Sequence, residues 1–476
     1  MTLVAVIGAG PAGLAAAAAA LESDAHVVIV DLNDSPGGQY HRQLPEAYRA
    51  ANPERIQHDW ARFQRLRDTI LTHPNARWMA NTIVFNLEAR PDAAPRLHVV
   101  SGPIDGTSRQ RGVIEPDAVV LATGAHDRVV PFPGWTLPGV FTAGAAQTLA
   151  RTERVAVGRR VVVSGTGPFL LPVAQSLTDV GSEVVAVLEA NPMSTLLRGW
   201  LPHPERLVAQ RHKLLDLGHY AWHHARHRIP YRTGPAVIAA RGGDTVQVAV
   251  TARLDADWMP IPGTEKEIAV DAICVGHGFT PALELAQAAG CQMATDPAGT
   301  FVAVDDTGRT TAAQVFAAGE ITGIGGADCA DVEGRVAGQA AAGASTIPAP
   351  LMHGRRAARK FVTRLATAHP LGAGWHSWLD DDTVVCRCES TTFGQLRRAQ
   401  KAETSLRATR LGTRAGLGPC QGRFCGPNVD ALCGKFTQHD RTCTEGTPAA
   451  TAHNRPIAHP VRLGELAAAP SPPVTD

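Results

Sequence analysis

Cysteine is absent from the first 273 residues of this 476-residue chain, and six of its nine cysteines fall from Cys386 onward. An odd, lopsided set in a large chain suits ligands or free thiols better than a secreted disulfide framework. An excess of either charge is missing too: 45 Lys and Arg stand against 44 Asp and Glu, a net +1. That balance gives no electrostatic footing for nucleic acid or for a general anionic membrane surface. No apolar stretch reaches the ~18 residues of a spanning helix. The longest, Leu14–Leu21, is mostly alanine behind a glycine loop and reads as a buried helix. No basic n-region or cleavage site separates Met1 from the apolar Leu3–Ile7, so a reducing, cytoplasmic setting is expected. No closely spaced cysteine pair lies near a glycine loop, which excludes dithiol exchange there, and no G-x-S-x-G elbow accompanies a triad.

What is present begins as strand, glycine turn, helix, strand: Leu3–Ile7, Gly8–Gly13, Leu14–Glu22 and His26–Asp31. This is the βαβ opening of an α/β, doubly wound, Rossmann-like domain. Gly8-Ala9-Gly10-Pro11-Ala12-Gly13 fits G-x-G-x-x-G with the right context on both sides. Gly8 permits the tight turn, Gly10 lets the backbone approach a pyrophosphate, and Gly13 lets the helix pack on the strand. Pro11 stands near the first helical position, where its missing N–H costs least. Asp31 ends the next strand, 23 residues after Gly8, where a carboxylate accepts a ribose hydroxyl. The pattern secures an ADP-containing ligand and leaves FAD or NAD open.

A second unit of the same layout opens at Arg160–Ser164 and turns through Gly165-Thr166-Gly167. It reaches a strand at Glu183–Glu189 and closes with Asp271–Gly278. Leu170 stands where the third glycine belongs, and Glu189 occupies the ribose-acid position and would repel a 2′-phosphate. A Rossmann-like domain without a working NAD(P) site is expected. The motifs Gly37-Gly38-Gln39, Ala122-Thr123-Gly124 and Ala317-Ala318-Gly319-Glu320 resemble those of two-dinucleotide-domain flavoproteins. That resemblance implies FAD at the first loop. Gly38, Gln39, Ala122, Thr123, Gly124 and Gly319 would then adjoin it, with Glu320 near the ribityl and phosphate groups where Asp is usual.

Cys386-Arg387-Cys388 and Cys420–Cys425 form C-x-C…C-x₄-C with 31 residues between the inner pair. Four thiolates suit either a [2Fe–2S] cluster or Zn²⁺, and C-x-C is tighter than the C-x₂₋₄-C usual at structural zinc. With Gly418-Pro419-Cys420-Gln421-Gly422, the module resembles the bacterioferritin-associated ferredoxin-like [2Fe–2S] domain, which implies the cluster. Arg387 and Arg423 either offset its negative charge or are simple surface arginines. Cys274, Cys291, Cys329, Cys433 and Cys443 lack partners at metal spacing and read as structural. His219, His223 and His227, spaced i, i+4, i+8 with His224 beside them, read as a polar or lining helix face rather than a metal site.

Longer stretches, Ala122–Leu149, Arg160–Ala174 and Glu320–Gly338, extend the resemblance over nearly the whole chain. They look like the larger subunit of bacterial opine oxidases, hydrogen cyanide synthase and hydroxyproline or proline dehydrogenases. The resemblance implies an oxidoreductase subunit without catalytic residues of its own. A separate glycine-oxidase-like FAD subunit would oxidise the C–N bond of an opine or amino acid, and a small ferredoxin-like subunit can join. Electrons would pass through this chain toward a quinone or dye-like acceptor, which places it in the cytoplasm or peripherally at the inner face of the membrane. Two rivals are a self-sufficient NAD(P)H-dependent reductase with a [2Fe–2S] outlet and a scaffold holding only an ADP-containing ligand. The expected domains are 1–128 with 285–345 for FAD, 129–284 for the degenerate NAD(P)-type unit, and 346–380 as a linker. The cluster module follows at 381–440 and an extended tail at 441–476.

Overall fold

The computed structural model describes residues 1–44, 48, 52–202, 211–402, 405–437 and 457–469. They divide into two compact, discontinuous units: 1–125 with 281–363 and 453–476, and 126–280 with 364–452.

In the first unit, Leu3–Ile7 is flanked by His26–Val30 and Ala118–Leu121, and all three pair in parallel. Val315–Ala317 and Ala76–Met79 complete the five-stranded sheet. A strand buried on both faces needs a continuous apolar run, which LVAVI, HVVIV and AVVL supply. The Pro11–Leu21 helix is alanine-rich because the Ala327–Ala341 helix lies directly against it. A Cβ added at Gly334 would stand 2.1 Å from the Ala12 carbonyl oxygen, and one at Gly338 would stand 2.2 Å from that of Ala16. Small residues on both sides let two backbones touch.

A three-stranded antiparallel sheet, Thr82–Glu88, Arg96–Ser101 and Gln110–Ile114, is inserted in this unit. Residues 457–469, expected to be extended, return to it and include the Leu463–Ala467 helix. The Ala458 N–H donates to the Phe85 carbonyl at 2.7 Å. Arg109 donates from Nε (2.8 Å) and Nη2 (2.7 Å) to Glu465. Composition alone reads Pro, Ala and Thr as loose chain. The docking depends on Glu465 meeting Arg109, whose buried side chain stands just before the Gln110–Ile114 strand.

The second unit repeats the layout. Tyr231–Thr233, Glu183–Glu189, Arg160–Thr166, Ala272–His277 and Val140–Thr142 form a five-stranded parallel sheet. Pro235–Gly242, Val246–Arg253 and Lys266–Ala269 form its antiparallel companion. The segment expected as a linker is largely helical: the Ala349–Ala368 helix occupies most of it, followed by a 3₁₀ turn over Ala373–Trp378. Pro348 and Pro350 fall at the helix start, where N–H groups have no intrahelical partner, so the ring does no harm. Trp375 and Trp378 are core residues rather than linker aromatics. Trp378 stacks on Trp258 at 6.0 Å and donates to the Trp258 carbonyl at 3.0 Å.

The cysteine module belongs to this second unit and shares its core. Val129, Phe132, Trp258, Trp375 and Trp378 pack in one cluster with Val385, Phe393, Leu396, Val429 and Leu432. Trp135 Nε1 donates to the Val384 carbonyl at 2.6 Å, and Asn428 Nδ2 to that of Val129 at 2.8 Å.

Candidate cofactor sites

The first glycine loop sits where the Leu3–Ile7 strand hands over to the helix. Gly8 has φ +101°, and a Cβ there would stand 2.3 Å from the Ala122 carbonyl oxygen. At Gly13 a Cβ would stand 1.7 Å from the Gly8 carbonyl oxygen. Gly10 caps the helix with no side-chain hydrogen bond, and no acid stands in the first turn. The N–H groups there are therefore left for an anion, which the helix dipole favours.

The other expected cofactor residues gather around this turn. Asp31, buried at its strand end, accepts from the Ala9 N–H at 2.6 Å and from the Asn33 N–H at 2.8 Å. A Cβ on Gly38 would stand 2.7 Å from Gly10 Cα, and one on Gly319 2.7 Å from Ala12 Cβ. Ala122 bonds back to Ile7, and Thr123 Oγ1 donates to the Ala282 carbonyl at 2.7 Å. Gly124 has φ +70°, and Gln39 is exposed beside Gly38. Glu320 turns its carboxylate to the N–H groups of Gly326 (2.7 Å) and Gly325 (3.3 Å). Its extra methylene over Asp carries it to the turn that opens the Ala327–Ala341 helix, a placement the spacing did not foresee. The carboxylate on the Gly319 N–H is instead Glu333, at 3.0 Å, itself paired with Arg359 at 2.6 Å.

At the second loop a carboxylate of the chain itself accepts from the glycine backbone. Glu189 is 0% exposed, and its Oε2 accepts from the Gly167 N–H at 2.9 Å. Gly167 matches Gly10 in the first loop, the residue whose backbone should approach a pyrophosphate. Asp31, one methylene shorter, reaches only the N–H before it. Glu189 is held further by the Asn191 N–H (3.0 Å), Asn191 Nδ2 (3.1 Å) and His369 Nδ1 (3.1 Å). Burial pushes the Glu189 carboxyl up, but His369 and the N–H donors outweigh it and hold the group below its usual range. Asn191 also binds the Pro370 carbonyl at 3.1 Å and Trp258 Nε1 at 3.2 Å, so residues 369–370 pack against the strand end that carries Glu189. Leu170, buried, packs against Gly276, where a Cβ would stand 3.7 Å from its Cδ2.

The four module cysteines come together as two thiol pairs, Cys386 with Cys425 and Cys388 with Cys420. The first pair is buried, while Cys388 is exposed and Cys420 half-buried. The Cys425 thiol, then the N–H groups of Gly416, Glu389 and Cys388, hold the Cys386 thiol down to about 5. Cys425, as donor, is pushed up. The Cys420 N–H lowers Cys388, but burial and the Cys420 thiol leave it raised. Gly418 has to be glycine, because a Cβ would stand 2.5 Å from Cys388 Cβ. Among the described residues no three His, Cys, Asp or Glu gather closely enough to hold one metal ion. Two pairs of thiols fit a binuclear cluster, with two thiolates on each iron, better than one tetrahedral zinc.

Comparison with known proteins decides the family, whose profile matches residues 2–344. The chain belongs to the pyridine nucleotide-disulphide oxidoreductase family. A BFD-like [2Fe-2S] binding domain matches residues 384–434 of this oxidoreductase. Its cofactors are FAD and a [2Fe–2S] cluster. It is 32% identical to an opine oxidase subunit of Agrobacterium tumefaciens, over 98% of this chain and 91% of that one. It is 29% identical to hydrogen cyanide synthase subunit HcnB of Pseudomonas aeruginosa, over 91% and 93%. In fold the oxidoreductase is similar to L-proline dehydrogenase from P. horikoshii. That match has a TM-score of 0.64 at 20% identity and covers 98% of this chain and 79% of the other.

The remaining expectations fall outside both sites of the oxidoreductase. His223 stacks on His227 at 4.4 Å and lies 3.8 Å from Asp179, while His219 meets Gln175 at 3.2 Å. His224 lines an apolar cavity of about 420 Å³ with Leu171, Leu217 and Tyr231. Cys274, Cys291, Cys329 and Cys433 are buried, and Cys443 lies outside the described residues. No helix among the described residues is long and apolar enough to cross a membrane. The groups sequence reasoning missed are Asn191, Glu333, Arg359 and His369. No motif marks them: Asn191 stands only two residues from Glu189, and His369 reaches it across 180 residues.

Proposed function

We propose that this chain is the electron-transfer subunit of a heteromeric dehydrogenase acting on the C–N bond of an opine or amino acid. The substrate is oxidised on a glycine-oxidase-like flavoprotein partner, with a small ferredoxin-like subunit in some assemblies and a quinone or other electron acceptor. The observation that carries this reading is the Glu189 carboxylate on the Gly167 N–H, backed by His369. It removes the backbone donor on which a nicotinamide dinucleotide would rest, so electrons enter from elsewhere. Relatives along nearly the whole chain bear the names of oxidase and synthase subunits, which supports a heteromer.

In this reading Gly8, Gly10, Pro11, Ala12 and Gly13 cradle the pyrophosphate, and Asp31 orients the adenosine ribose. Gly38, Gln39, Ala122, Thr123, Gly124, Gly319 and Glu320 line the remainder of the same site. Cys386, Cys388, Cys420 and Cys425 hold the cluster. FAD supplies two-electron and one-electron redox chemistry, and the cluster supplies one-electron chemistry. The chain's own residues bind and orient these groups, and substrate chemistry belongs to the partner. The domain roles follow, with residues 1–125 and 281–363 for FAD and 126–280 with the cysteine module as the relay unit.

The test is co-purification from the host followed by anaerobic titration. A second, amino-acid-oxidase-like chain is expected in the complex. NADH and NADPH at tenfold excess should leave the flavin absorbance unchanged, while substrate added to the complex should bleach it and raise an EPR signal of reduced cluster. Bleaching of the isolated chain by either nucleotide would overturn the proposal. Zinc in place of iron, or adenine nucleotide in place of flavin, would also sink it.

A further inference from the structure

Beside the buried thiol pair lies a cation that neither spacing nor composition marks. Arg410, in the Leu406–Thr413 helix, is 3% exposed. Its Nη2 donates at 2.5 Å to Asp430 of the Gly426–Thr437 helix, which Cys425 immediately precedes. Its Nε and Nη1 are buried and meet no hydrogen-bond acceptor among the described residues. A guanidinium carries five donors in a fixed fork, and a buried one with unmatched donors calls for an anionic partner. Asp430 meets only one side of the fork. The charge of Arg410 acts on Cys425 and on the neighbouring Cys433.

Three other arginines near the cysteines are placed differently, and the half-buried Arg423 donates from Nη1 to the Cys420 carbonyl at 3.5 Å. Arg387 lies over the Trp135 ring at 5.3 Å. Arg414 is largely exposed and pairs with Glu389 at 2.6 Å, where solvent screens it. Only a buried charge keeps most of its field at a neighbouring redox centre.

We propose that Arg410 sets the reduction potential of the [2Fe–2S] cluster, with its free donors directed to the sulfurs on the Cys386 and Cys425 side and Asp430 acting as counterweight. Reduction adds one electron and no ligand, taking a cluster with four thiolates from a net charge of −2 to −3. A fixed cation stabilises the more negative form, so it raises the potential, and a nearby carboxylate lowers it. The pair thereby brackets the potential from both sides.

This inference rests on the four cysteines being the cluster ligands, which the wild-type spectrum tests by itself. A wild-type holoprotein without a [2Fe–2S] EPR signal after dithionite reduction fails that assignment and takes the inference with it. With the signal present, EPR-monitored redox titration of the holoprotein decides the role of Arg410. Arg410→Gln should shift the reduction equilibrium at least tenfold toward the oxidised cluster, which is 59 mV at one electron. Arg410→Lys should shift it less, and Asp430→Asn should shift it at least threefold the opposite way. A merely structural staple would lower the melting temperature in both Arg410→Gln and Asp430→Asn and leave both potentials within twofold of wild type, and that result overturns the proposal. Should Arg410→Gln fail to assemble the cluster, the opposite-sign shift in Asp430→Asn carries the decision alone.

Discussion

One methylene separates the two nucleotide loops in what their carboxylates do. Asp31 stops at the Ala9 N–H, whereas Glu189 reaches the Gly167 N–H. A buried acceptor with several donors is costly to neutralise, so Glu189→Gln should lower the stability of the second unit by roughly 1–3 kcal/mol at pH 7. The pH dependence has a definite sign. Because the folded carboxyl is held below 4.5, its contribution is complete above that value and is lost as pH falls through the lower folded one. Urea melts followed by tryptophan fluorescence should therefore show the full difference between wild type and variant above pH 4.5, narrowing as the pH falls below that value. Equal differences at both ends would contradict this account. At this scale the first loop was legible because its contacts repeat a fixed local spacing. The second loop was half legible. Leu170 signalled a departure, but closure by His369, 180 residues from Glu189, is a tertiary fact. Arg410 was invisible for the same reason, since arginine is ordinarily a surface residue and its burial depends on the packing of two helices.

At the scale of elements, the Pro11–Leu21 and Ala327–Ala341 helices touch through Gly334 and Gly338. Gly338→Val would force side-chain atoms against the Ala16 carbonyl and push the pyrophosphate helix off its seat. The expected outcome is a loss of about 1–3 kcal/mol by thermal melt, together with weaker flavin retention on gel filtration. Retained flavin at unchanged stability would show that the helices separate freely. The alanine run announced a buried helix, and its pairing with a glycine-spaced partner explains why alanine rather than leucine fills it. The region 346–380 shows the opposite case. Prolines and basic residues suggested a linker without structure of its own, whereas the prolines open a helix and the two tryptophans enter a core. Composition misleads where proline stands at an N-terminus and where a charged helix surface hides an aromatic anchor.

At the scale of the molecule, each unit has its own cores, and among the described residues the cysteine module shares the second unit's. Ligand binding to a folded state stabilises whatever unit folds around it. Cys386→Ser with Cys425→Ser should therefore abolish the EPR signal and also lower the melting transition reported by the buried Trp258, Trp375 and Trp378. The flavin-release transition of the first unit should stay within a degree or two of wild type. A drop confined to cysteine-module proteolysis, with the tryptophan transition unmoved, would mean that the shared core does not couple them. The two-sheet architecture was readable because the βαβ pattern occurs twice. The union of the module with the second unit was not, since Val129, Phe132 and Trp258 give no local sign of what they face.

The carboxylate lodged on the Gly167 N–H also bears on how such a protein behaves in a living cell. On the proposed reading pyridine nucleotides find no berth at this loop, and the cell's NADH pool then does not load the chain backward when respiration stalls. The oxidation it serves then runs at the pace set by its own substrate and by the acceptor downstream. Nicotinamide-mimicking inhibitors of related reductases should pass this chain by.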